Sequence, residues 1–118
     1  FVGSRGLGDV YKRQVFIQLG VTAQATGDLP AARQAWDDAI RGLSRTRPVP
    51  RVLLASALQL QARLEAGFDR LETAQRLAQR AYTLLMAQHD DIDHPAVVRV
   101  RDLVGLLDLH LESRRGEG

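Results

Sequence analysis

The sequence predicts an all-α fold, an α-solenoid fragment built from antiparallel helix hairpins. Three observations carry this. The apolar residues Leu29, Ala32, Ala35, Trp36, Ala39, Ile40 and Leu43 form one continuous stripe at helical spacing. The same stripe returns 42 residues later as Leu71, Ala74, Leu77, Ala78, Ala81, Tyr82 and Leu85. A helical pattern recurring at a fixed period in this range is the signature of a stacked repeat, in which each unit buries its apolar face against the next. The composition agrees: it is rich in alanine, leucine, arginine and glutamine, aromatics make up 5%, and there are four prolines.

In chain order, a first helix is expected over residues 15 to 26, with Phe16, Leu19, Gly20 and Ala23 on one face. The mid-helix Gly20 points to close approach of a neighbouring helix. Gly27 and Asp28 form a short turn, and Asp28 is placed to cap a second helix over residues 29 to 44. So short a connection sets the two helices antiparallel. Trp36, the largest apolar side chain, is expected between the first three helices. Pro48 and Pro50 end the second helix, and a third runs over residues 51 to 66 on Leu54, Ala57, Leu58, Ala62 and Leu64. Gly67 is expected to end it, and Asp69-x-x-Glu72 reads as a capping box opening a fourth helix over residues 70 to 88. Asp93 or His94 is the expected cap of a fifth helix over residues 96 to 112, with Pro95 in its first turn. That helix is apolar almost all round, through Val97, Val98, Val100, Leu103, Val104, Leu106, Leu107, Leu109 and Leu111, so it is expected to be covered on more than one side, by a further element or by self-association. Residues 114–118 read as a frayed polar tail.

The first fourteen residues stand apart. They hold three glycines and the sole lysine, Lys12, and they lack a helical period. Asp9–Gln14, DVYKRQ, is the translation of the mosaic-end sequence of transposase-based sequencing adapters, and Ser4–Gly8 fits the bases before it. Residues 1–14 therefore read as an adapter-derived scar, and residues 15–113 as the repeat domain. The formal net charge of +2 lies entirely in the scar, leaving 13 arginines against 13 acids in the remainder. That balance argues against a nucleic-acid partner.

There is no cysteine, and no apolar run of the roughly 20 residues a membrane span needs. A cytoplasmic protein without a membrane partner is the expectation. The loop holding His89, Asp90, Asp91, Asp93 and His94 has metal-ligand residue types but reads as a solvated connection, so neither a metal nor another cofactor is expected. Adjacent Asp37 and Asp38 point apart on a helix, Ser44, Ser56 and Ser113 stand in no nucleophile motif, and His110 is isolated. The chain is not expected to be an enzyme.

Phe16, Leu19–Gly20, Gly27–Asp28, Ala32, Trp36 and Ala39 resemble the tetratricopeptide repeat at that family's spacing. A second, looser repeat uses Leu58, Ala62, Ala74, Ala78 and Ala81, and Asp93–Pro95 resembles the Asp-His-Pro loop of the kinesin-light-chain type. Gly105 takes the place of Gly20 in a half-present third repeat. The resemblance implies a protein–protein interaction scaffold whose first helices line a concave groove for a peptide or a domain. Aligning Gly20, Ala62 and Gly105 puts Ile17, Val21, Gln24, Gln59, Arg63, Arg99 and Asp102 in that groove. The alternative is a regulatory or oligomerisation segment of a larger bacterial signalling enzyme or transcription regulator.

Overall fold

The computed structural model of the chain describes residues 25 and 27–117. Four helices follow one another: α1 (Leu29–Arg45), α2 (Arg51–Gly67), α3 (Leu71–His89) and α4 (Pro95–Glu117), with no strand among the described residues. They are the second to fifth predicted helices. The first, expected over residues 15 to 26, lies outside the described residues except for the single helical position 25, and the adapter-like segment lies outside them altogether. No helix of the described residues is long and apolar enough to cross a membrane.

Local chemistry sets most of the boundaries. Gly27 adopts a positive φ of 79°, and the Asp28 carboxylate accepts a hydrogen bond from the Ala31 N–H at 3.1 Å, capping α1 with Pro30 in its first turn. At the other end the Arg47 guanidinium donates to the Ser44 carbonyl at 2.7 Å, satisfying one of the last carbonyls of the helix. His94, rather than Asp93, caps α4: its Nδ1 accepts from the Ala96 N–H at 3.1 Å, while Asp93 is held by an Asx turn on Asp91.

The α2–α3 turn differs from expectation at two places. Gly67 is the last helical residue of α2, one position beyond the expected end, and the left-handed position that follows falls on Asp69, with φ 68°. The Arg70 N–H reaches back to the Glu65 carbonyl at 2.9 Å and the Asp69 N–H to Ala66 at 3.0 Å, a Schellman arrangement with aspartate where glycine is usual. Held in that conformation, Asp69 cannot form the expected capping box, and Arg70 at the N-cap makes no side-chain cap bond. A third difference is length. α4 continues to Glu117, beyond the expected end at Glu112 and through most of the tail expected to fray, because Leu111 is buried and Arg114 ties the last turns back to Asp69.

The helices run antiparallel to their chain neighbours. Arg33 and Asp37 of α1 face Glu65 and Gln61 of α2 in reversed order, and Gln75 of α3 bonds Asp108 of α4. The core follows the repeat. Ala32, Trp36, Ala39 and Leu43 are buried, and so are Ala74, Ala78, Ala81 and Leu85, while Leu29 and Ala35 are half-buried like Leu71 and Leu77. A shift of 42 residues thus reproduces the burial of six of the seven stripe positions, the exception being buried Ile40 against half-buried Tyr82, with the small Ala78 in the place of fully buried Trp36. The larger cluster joins Trp36, Leu43, Leu54, Leu58 and Leu85 to Val97 and Val100 of α4; a second joins Ala62, Ala74 and Ala78 to Leu107.

Because Gly67 is helical and a methyl group there meets no atom within 4 Å, Gly67→Ala is expected to stabilise the fold by about 0.5–1 kcal/mol through helix propensity and lower unfolded-state entropy. Denaturant unfolding checks this. A loss of stability would show that Gly67 does not hold a helical conformation in solution.

Candidate functional site

α2 and α4 both pack on α3 and leave a trough between them. Gln59 and Arg63 lie one turn apart on α2, and Arg99 and Asp102 lie on the facing side of α4. Two adjoining cavities, of about 730 Å³ and about 340 Å³, share Arg63 and Arg99 as common walls. The larger one has an apolar floor and wall of Leu71, Leu103, Leu106 and Leu107, with His110 toward its far end. The smaller is bounded by Val52, Gln59, Leu60 and Leu85. This combination of an apolar strip with a few placed charges suits a peptide chain whose side chains alternate in character.

The trough follows from the helix period. On α2, Leu54, Leu58, Ala62 and Leu64 are drawn into the core, which leaves Gln59 and Arg63 on a separate face. The same logic on α4 buries Val97, Val100, Leu107 and Leu111 and turns Arg99 and Asp102 outward. Arg63 is exposed, and among the described residues no hydrogen bond or ion pair restrains its guanidinium, so its five donors remain for a ligand. Arg99 spends one donor on the Pro95 carbonyl at 3.4 Å.

Of the groove residues expected from sequence, Gln59, Arg63, Arg99 and Asp102 come together here. Ile17, Val21 and Gln24 lie outside the described residues. The His89–His94 loop gathers differently from a metal site: the two imidazoles stack with centroids 3.6 Å apart, and His94 Nδ1 is committed to the Ala96 amide. No group of three or more metal-ligand side chains converges among the described residues.

Sequence reasoning missed the polar seam between α1 and α2. Glu65, 2% exposed, takes Arg33 on both carboxylate oxygens at 2.7 and 3.2 Å, and buried Gln61 donates to Asp37 at 2.7 Å. The hydrogen bond from Arg33 to Glu65, with their mutual attraction and that of Asp37, raises the Arg33 pKa despite partial burial. The signal was present in the sequence: Arg33 and Asp37 are one turn apart, Glu65 and Gln61 likewise, and an antiparallel register matches them. Also unforeseen were Asp69 and Arg114, whose ion pair closes one end of the larger cavity.

No protein-family model matches this chain, and no curated protein or solved structure is detectably similar to it.

Arg114 holds the Asp69 carboxyl below the usual carboxylate range, chiefly by their hydrogen bond. A lowered folded-state pKa makes the contribution full at neutral pH and lost as pH falls through that lowered value. Acidification below the ordinary carboxylate range should therefore lower the protection of amides in the last turn of α4, residues 112–117, measured as exchange relative to the intrinsic rate at each pH. In Asp69→Asn, which tolerates the left-handed backbone, that protection should already be low at neutral pH and change little with acid. Equal behaviour of the two proteins would show that the pair does not anchor the helix end.

Proposed function

We propose that the chain is a tetratricopeptide-like module that recognises a peptide or a domain of another protein in the trough between α2 and α4, without chemistry of its own. The observation that carries this reading is the meeting of Gln59, Arg63, Arg99 and Asp102 on one trough with a leucine floor. The repetition of the burial pattern between α1 and α3 supports the repeat assignment, since a stacked repeat must place equivalent residues in equivalent surroundings. Arg63 is the specificity residue in this proposal: a planar, unrestrained guanidinium takes a carboxylate on two parallel bonds and so fixes the direction of a bound chain.

The test begins with selection of binding peptides from a random library displayed against the protein. The strongest peptide is then titrated into wild type and Arg63→Ala beside melting curves. Arg63→Ala is expected to raise Kd about 5- to 150-fold, about 1–3 kcal/mol, with the melting curve unchanged. Unaltered affinity, or an unfolded variant, would reject the assignment of the groove.

A second reading, self-association, rests on Leu109 and Gly105 of α4, which do not line the trough. Leu109 is 64% exposed, and a methyl group at Gly105 meets nothing within 4 Å. The Gly105 position, expected to be approached closely by a neighbouring helix, is open on the side where such a helix would lie. Sedimentation at rising concentration should reveal a dimer, and Leu109→Arg should abolish it. A monomer at all concentrations removes this reading and leaves the groove untouched.

A further inference from the structure

α1 and α3 enclose a second groove, of about 570 Å³, against the opposite side of α2. Gln61 and Glu65 form its floor from α2, whereas Gln59 and Arg63 face the trough described above; the two pairs project from the helix about 160° apart. Five arginines line it: Arg33, Arg41 and Arg45 from α1, Arg80 from α3, and Arg70 at the start of α3. Its two carboxylates are already engaged. Glu65 is bound by Arg33 on both oxygens, with Arg70 at 3.8 Å, and Asp37 accepts from Gln61.

The positive charge is consequently uneven along the groove. Near Glu65 it is largely neutralised. Toward the C-terminal end of α1, Arg41, Arg45 and Arg80 gather around Ser44, whose hydroxyl donates to the Ile40 carbonyl and accepts from Arg80 at 3.1 Å. The acid beside them is Asp38, 3.6 Å from Arg41 in a pair that is at least half exposed on both sides, and such a pair is weak. The helix dipole accounts for Arg45 in the last turn of α1. It does not account for Arg80, in the middle of α3, or Arg41, a full turn earlier.

We propose that this arginine-lined groove docks an extended acidic segment of a partner protein, a surface additional to the α2–α4 trough. Arg33 to Arg45 spans about 18 Å of helix at 1.5 Å per residue, the length of five or six extended residues. Ile40 and Leu77 supply apolar floor between the charged walls, where the stems of Glu side chains can lie. The acidic residues of the segment seat at the Arg41–Arg45–Arg80 end, each arginine offering a bidentate site for a carboxylate. An oligonucleotide fits less well: Asp37 and Glu65 stand in its path, and the groove lining holds no aromatic side chain for base stacking.

The test is a fluorescence-anisotropy titration of labelled hexaglutamate, with hexalysine and a twelve-residue oligothymidylate as comparators, at about 150 mM salt. Hexaglutamate should bind one to one and far tighter than either comparator. The double variant Arg45→Ala/Arg80→Ala should weaken it at least tenfold, while Arg101→Ala, on α4 and lining neither groove, should not. Amide shifts on titrating wild type should centre on Ser44, Arg45, Thr73 and Arg80, which decides the matter if the double variant fails to fold. The proposal is overturned if oligothymidylate binds as well as hexaglutamate or if the shifts map elsewhere. It is also overturned if Arg63→Ala abolishes binding while the double variant retains it. That last result would assign acidic ligands to the α2–α4 trough, so this surface can fail without the first.

Discussion

The buried carboxylate of Glu65 is the constraint on which the rest of the arrangement depends. Its two oxygens are taken by Arg33, which fixes the register of α1 against α2. Its backbone carbonyl accepts from both Phe68 and Arg70, which ends α2 and launches α3. One residue thus ties three helices together, by side chain on one side and by main chain on the other. A carboxylate left in that position without its partner costs several kcal/mol, so the pair fixes one register more firmly than it adds net stability. The Gln61–Asp37 bond one turn away repeats the match and excludes a slip by one turn.

From this register the two faces of α2 acquire different neighbours. One looks toward α4 across a leucine-floored trough; the other looks between α1 and α3 into a groove of arginines. The chain beyond its first fourteen residues is balanced in charge, with 13 arginines and 13 acids, yet the fold does not distribute that balance evenly. Arginines from α1 and α3, Arg41 and Arg45 against Arg80, lie 39 and 35 residues apart in the chain and line one groove because a parallel offset of one repeat aligns equivalent turns. A neutral composition therefore gave a correct statement about the average field and missed a local one.

Legibility differed by the range of the interaction responsible. The stripes of α1 and α3, the Asp28 cap, the proline stops at residues 48 and 50 and the helix-opening Pro95 act over a few residues, and the expected and observed helices agree there to within one or two positions. Gln59, Arg63, Arg99 and Asp102 were named through the resemblance to a repeat register, and the structure lines two adjoining cavities with them. Asp69-x-x-Glu72 was misread because a capping box and a left-handed helix end compete for the same residue, and the competition was settled by the Glu65 and Ala66 carbonyls behind it. The end of α4 was misread because what orders it, Arg114 on Asp69, spans 45 residues.

The sequence by itself determined that the chain is helical, where its helices begin and end to within a turn except at the C-terminal end of α4, most of the core of the first three helices, and that the pattern repeats at 42 residues. These follow from backbone propensity, caps and the 3.6-residue period, all local properties. Only the tertiary structure decided that Glu65 and Gln61 are buried, that Asp69 rather than Gly67 turns the chain, and that five arginines share one groove. Each of those depends on which side chain another helix brings within a few ångströms, and a hydrogen bond across helices has no period in the chain that makes it.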